Sequence, residues 1–119
     1  MGSNSINAIV RAALDPVVDE RVFPSVAPPG TPTPYIAYQR VGGEGSATLD
    51  GLSTTRNARM QIAVWSDTRE LSTALMDRAM AALCESDIKG TPIGEPVDVY
   101  EETTKRHGSR LDISIWYST

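Results

Sequence analysis

Apolar residues recur at three- and four-residue steps near the start of the chain: Ile6, Ile9, Val10, Ala13 and Leu14. That spacing puts them on one face of a helix. Ser3 or Ser5 stands where a cap belongs, and Asp15-Pro16 marks the end, because the residue before a proline is pushed out of the helical region. Val17 and Val18 extend the segment by a short turn. Arg21-Val22-Phe23 then predicts a short strand, stopped by Pro24. Tyr35–Val41 (YIAYQRV) is aromatic and β-branched and predicts another. In Arg59–Trp65, Met60, Ile62 and Val64 alternate with Arg59, Gln61, Ala63 and Trp65, the two faces of a strand.

A second helix follows. Asp67 is its expected N-cap, with Glu70 three residues on as a capping-box variant. Leu71, Leu75, Ala79, Ala82 and Leu83, flanked by Met76 and Met80, form its apolar face as far as Cys84. Gly90, Pro92 and Gly94 interrupt the pattern. Val97, Val99 and Glu101 alternate with Asp98, Tyr100 and Glu102. Leu111, Ile113, Ile115 and Tyr117 alternate with Asp112, Ser114 and Trp116. These read as the two strands of a closing hairpin around a turn at 103–109. The fold expected is α+β, a mostly antiparallel four- to five-stranded sheet with two helices packed on one face. The length is that of one domain over residues 1–119. The other sheet face would carry Trp116, Asp112 and Ser114, with Arg59, Gln61 and Trp65 joining them in one of the two possible registers.

Two segments escape the pattern. Residues 24–34, PSVAPPGTPTP, hold Pro24, Pro28, Pro29, Pro32 and Pro34. They lose backbone donors and have φ fixed, so they form a stiff surface segment, either a packed connection along one edge or a rigid arm that touches a neighbour. Residues 42–57, GGEGSATLDGLSTTRN, are too polar to offset the entropy of ordering alone and too long for an ordinary hairpin connection. Leu49 and Leu52, around Asp50-Gly51, are the exception in that run, as expected if they dock elsewhere.

Composition narrows the chemistry. The chain has 119 residues and a formal net charge of −4, with a pI near 4.9, which argues against a polyphosphate partner held by bulk charge. Cys84 alone excludes an intramolecular disulfide and a thiolate zinc site, and one histidine leaves no spacing for a transition metal. No apolar run reaches the ~20 residues of a bilayer span. The opening MGSNSINAIVRAALD has neither basic lead nor long apolar stretch, so no secretory signal is expected. His107 lies near Ser109 and Asp112, but no Gly-x-Ser-x-Gly elbow surrounds a serine, and His107 reads as a solvated turn residue. Cys84 is followed by Glu85 and Asp87, which raise a thiol pKa. Gly42-Gly43 and Gly45 lack the Lys-Ser/Thr ending and the helix of a phosphate loop. Paired carboxylates such as Glu101-Glu102 point to opposite faces of a strand. No catalytic residue, cofactor site or metal ligand is assigned. Arg56 and Arg59, and the cluster Lys105, Arg106 and Arg110 beside Glu101-Glu102, fit charge pairing between subunits. Tyr35, Tyr38, Trp65 and Trp116 on an acidic chain read as core and interface rather than as a stacking platform for single-stranded nucleic acid.

The order of several strings carries a resemblance. They are the first helix ending at Asp15-Pro16, then Arg21-Val22-Phe23-Pro24, Ala27-Pro28, Pro34-Tyr35-Ile36 and Tyr38-Gln39. Arg59-x-Gln61-Ile62-x-Val64-Trp65 then leads into a helix with Ala74 and Met80-Ala81-Ala82-Leu83, and Trp116-Tyr117 stands at the end. Together they resemble the small tail-completion (tail-terminator, head-to-tail joining) proteins of long-tailed bacteriophages and prophages. The resemblance implies a structural protein rather than an enzyme, with an α+β fold, closing into rings commonly of six subunits. Such a ring caps the tail tube, ends its polymerisation and offers a docking surface to the head. The implied partners are copies of the chain itself, the tail-tube protein and a head–tail connector protein, with no membrane and no sequence-specific nucleic acid. The implied location is the virion tail, after assembly in the bacterial host cytoplasm.

The resemblance implies that the loop at 42–57 is a part that orders on assembly. Leu49, Asp50 and Leu52 would meet a neighbour, Arg56 or Arg59 an acidic rim, and Trp116 a subunit interface. The rivals are a head–tail connector subunit or other prophage-derived interaction module and, further off, a small enzyme, for which the chain offers no convergent constellation.

Overall fold

The computed structural model describes residues 5–45, 47–48, 51–52 and 54–118. The first helix, α1, spans Ile6–Leu14; Ser5 caps it, its side chain accepting from the Ala8 N–H. A 3-10 turn at Asp15–Val17 carries Pro16 where its missing N–H costs nothing. Then come β1 (Val22–Pro24), β2 (Tyr35–Arg40), a two-residue pair β3 (Ala47–Thr48) and β4 (Gly51–Leu52), β5 (Thr55–Ser66), α2 (Arg69–Cys84), β6 (Thr91–Glu101) and β7 (Arg106–Ser118).

Five strands form one sheet in the order β1-β2-β5-β7-β6, and β3-β4 form a separate small hairpin. The sheet is mostly antiparallel with both helices, as the alternation predicts. One pairing departs from it: β1 runs parallel to β2, with Val22 opposite Ile36. The proline-rich segment makes that crossover. It is a packed connection, tied by Ser25 N–H to the Tyr38 carbonyl at 2.8 Å and by Arg106 Nη2 to the Thr31 carbonyl at 3.0 Å, although Val26 stays 79% exposed.

Strand period decides the core. On one sheet face lie Val22, Ile36, Tyr38, Ala58, Met60, Ile62, Val64, Leu111, Ile113 and Ile115, all buried. The helices cover that face with Val10, Leu14, Leu75, Met76, Ala79 and Leu83. Each Val, Leu, Ile or Met among them contributes about 1.5–3 kcal/mol relative to exposure, so this one layer dominates the stability of the sandwich.

The structure moves several boundaries. The cap of α2 is Thr68, which accepts from the Leu71 N–H at 3.1 Å; Asp67 instead accepts from the Thr33 hydroxyl at 2.7 Å. Leu71 is 40% exposed, and the buried place in that first turn goes to Ser72, whose hydroxyl is satisfied by the Arg69 carbonyl. Strand β5 begins at Thr55 rather than Arg59, because Thr55–Ala58 pair with Ile115–Ser118. Strand β7 begins at Arg106, so His107 is a strand residue. Strand β6 begins at Thr91 despite Pro92, Gly94 and Pro96. It is an edge strand with a register shift between Ile93 and Val97, the place where a sheet tolerates proline.

Candidate interaction surface

No helix covers the second face of the sheet. Alternation along β5 and β7 gives it Asn57, Arg59, Gln61, Ala63 and Trp65 on one strand and Gly108, Arg110, Asp112, Ser114 and Trp116 on the other, each opposite its partner. Ile93, Val97 and Val99 join from β6. At its centre Arg59 Nε donates to Asp112 Oδ2 at 2.7 Å. The arginine is about half exposed, so the pair contributes roughly 0–1 kcal/mol and chiefly fixes orientation.

Asn57 is buried, at 3% exposure, because the chain after β2 folds over it. Its Oδ1 accepts from the Glu44 N–H at 2.9 Å, and its Nδ2 donates to Ser114 Oγ at 2.9 Å. Val41 N–H donates to the Arg59 carbonyl at 2.8 Å and Arg59 N–H to the Gly42 carbonyl at 2.9 Å. Gly43 has φ +150, and a Cβ there would overlap the Asn57 carbonyl, so the close approach of loop to strand requires glycine. The loop thus borders a shallow depression of ≈ 390 Å³ lined by Val41, Asn57, Arg59, Ile93 and Ser114. A second, of ≈ 230 Å³, lies between Gln61, Glu95, Val97 and Arg110. Both are open troughs on a mixed surface rather than enclosed cavities of the kind that hold a substrate.

The expected interface residues divide between the two faces. Arg59 and Trp116 share the open face, and Trp116 is 50% exposed. Arg56 is three residues from Arg59 and so points to the other face, opposite Tyr117. There it neighbours Arg40, whose guanidinium lies 5.6 Å from the Tyr117 ring centroid and donates to the Tyr117 hydroxyl at 2.9 Å and the Asn57 carbonyl at 2.8 Å. Leu52 falls in β4, and nothing is described of its side chain. Leu49 and Asp50 lie outside the described residues.

The other titratable groups are scattered. His107 packs against Tyr100 with ring centroids 4.9 Å apart. It lies on the opposite face from Asp112, and Ser109 is buried, so the three do not converge. Burial, and secondarily the Glu85 carboxylate, push the Cys84 thiol pKa up. Among the described residues no group of His, Cys, Asp and Glu is placed to hold a metal ion, and no described helix is long and apolar enough to cross a membrane.

One surface lies beyond what the alternation predicts. Of the large apolar side chains left exposed, Ile93, Val97 and Tyr100 all sit on β6. Proline and glycine at alternate positions beside valines and acids are the mark of a strand at a sheet edge, and the string TPIGEPVDVYE carries that signal.

A family model described as tail completion protein gp17 matches this chain over residues 2–118. A search of curated proteins finds no match. Among solved structures, one similar chain belongs to the virion of a native gene transfer agent particle, with 16% identity, a TM-score of 0.62, and coverage of 96% of this chain and 95% of that one. The gp17 protein of bacteriophage SPP1 aligns with 15% identity and a TM-score of 0.48, covering 92% of this chain and 88% of that one. At 16% identity the likeness to the gene transfer agent chain shows a shared fold. The family match spans nearly every residue, and the chain belongs to the tail completion protein gp17 family, structural proteins of bacteriophage tails.

Proposed function

We propose that this chain assembles with copies of itself into a ring at the head-proximal end of the tail tube. There it ends tube polymerisation and supplies the joint to the head, with the tube protein on one side and a head–tail connector protein on the other. The observation that carries this reading is the match of a tail completion family along residues 2–118. A similar fold in a chain of a gene transfer agent virion agrees with it.

The physical basis is a contact between unlike patches of two copies. Repeated around a rotation that closes, such a contact gives a finite ring. One face of the ring matches the end of the tube. The other lacks the surface that recruits a further layer of tube subunits, so growth stops. Each contact alone is weak, because association costs translational and rotational freedom that only closure offsets. The uncovered sheet face, with Trp116 half exposed, and the loop that carries Leu49 and Leu52 are the surfaces assigned to these contacts. No reaction is assigned.

The test is polymerisation of purified tube protein with and without this chain. Substoichiometric chain should arrest elongation and leave ring-shaped density on one tube end. Tubes that elongate unchanged in excess chain would exclude termination, and binding only to the connector would favour the connector reading.

A further inference from the structure

The sheet has two unlike edges. Strand β1 is three residues long and ends in Pro24, so it offers little to a partner. Strand β6 is eleven residues long, and its outer side has no neighbour in the sheet. Its first half is blunted as natural edges are, by Pro92, Pro96 and the irregularity at Gly94, which has φ +78. Its second half, Val97–Glu101, pairs regularly with Arg110–Arg106 and holds no proline. There Val97 is 54% and Tyr100 51% exposed. Between Thr91 and Glu102 the chain carries Glu95, Asp98, Glu101 and Glu102 and no basic residue. Lys89 and Lys105 stand just outside the two ends of the strand, Arg106 and Arg110 stand behind this edge on β7, and Arg106 is engaged with Tyr35 and Thr31.

A patch of the opposite sign lies at the far end of the sheet. Arg40 closes β2, Val41 follows it at 40% exposure, and Arg56 stands near the start of β5, opposite Tyr117. Neither arginine makes an ion pair with a carboxylate among the described residues, and Glu44 is the one acid on the adjoining 41–45 segment. Arg59 is excluded from this patch because it is held by Asp112; Val41, which lines the depression beside Arg59, brings the patch round the end of the sheet to the uncovered face. The two patches differ in predominant sign: exposed Val97 and Tyr100 lie among four acids, and exposed Val41 lies beside two arginines and Glu44.

We infer that the outer edge of β6, centred on Val97–Glu101, docks the Arg40–Val41–Arg56 end of a second copy of this chain. The inference rests on the self-assembly proposed above and names its contact. Charge complementarity selects the partner. Acid against acid excludes a two-fold pairing of β6 with β6, whereas acidic edge against basic end is attractive and joins unlike surfaces, as a closed ring needs. The apolar centre supplies burial and the charges set the register.

The test is a charge exchange in the full-length chain, read by sedimentation velocity from micromolar to millimolar concentration. Glu95→Lys with Asp98→Lys turns an edge of four acids into one of two acids and two lysines; Arg56→Glu reverses one of the two cations of the other end and leaves the hydrogen bonds of Arg40 intact. Each variant alone should associate at least on the order of tenfold more weakly than wild type, by juxtaposition of like charges. A mixture of the two, or all three substitutions in one chain, should regain wild-type assembly, and that recovery also shows both variants to be folded. Unchanged assembly of either variant, or no recovery in the mixture and the combined chain, would overturn the contact while leaving self-assembly standing. A wild-type chain that stays monomeric at every concentration would remove both.

Discussion

Asn57 is the residue through which the chain after β2 is fastened to the sheet. It takes the Glu44 N–H and gives its amide to Ser114, and Gly43 lets the loop backbone lie against it. Asn57→Ala should cost about 1–3 kcal/mol by leaving those partners unsatisfied, read as a lower urea midpoint with an unchanged slope. Nothing in the sequence marks this role, because an asparagine in a Gly-, Ser- and Thr-rich run looks the same whether it anchors or is solvated. Cys84 is legible in outline. Burial first and Glu85 second raise its pKa. Alkylation by iodoacetamide should therefore rise with pH along a curve displaced above that of a free thiol, and Glu85→Gln should recover part of the displacement. Below the ordinary thiol pKa the proton is held in both folded and unfolded chains, so Cys84 adds no pH dependence to stability there. Above it the unfolded thiol ionises first, and stability falls as pH rises through the folded value.

At the scale of elements, legibility follows burial. Residues 59–65 and 111–117 alternate because one face of each strand is dry, and both are strands in the structure. The first half of β6 is not legible in the same way. Ile93 is exposed, as are its neighbours Gly94 and Glu95, so no buried face imprints a pattern around its prolines. Nor is the parallel pairing of β1 with β2, because three residues carry no mark of their partner's direction. The cap of α2 lies one residue later than the sequence predicts, since Asp67 and Thr68 are both good caps and only geometry separates them. Thr68→Ala should cost about 1 kcal/mol in thermal or chemical unfolding. Asp67→Ala, which removes one exposed hydrogen bond to Thr33, should cost less. The loop carries a prediction of its own. Deleting residues 46–54 removes Leu49, Asp50 and Leu52 and leaves the Asn57 anchor in place. The product should keep the wild-type melting profile and fail to arrest tube growth. If it still arrests growth, the loop has no part in assembly.

At the scale of the molecule, an uncovered sheet face, one blunt edge and one open edge belong together in a protein that works by contact. Both helices protect one side of the sheet, which leaves the other side and the outer edge of β6 uncovered. The troughs described on the uncovered face are open and mixed in charge, as surfaces of broad protein contacts are. Family membership is legible in the sequence because it rests on the order of many short strings. The proposed interface is not, since it depends on which of Arg56 and Arg59 is already held within the chain. The most direct test of tail completion by this chain is electron cryomicroscopy of particles from a phage whose gene for it is deleted and then resupplied. Without the chain, tails should be of irregular and excess length and detached from heads; with it, they should be uniform, joined, and capped by a ring of added density at the head-proximal end. Uniform tails joined to heads in its absence would contradict that role.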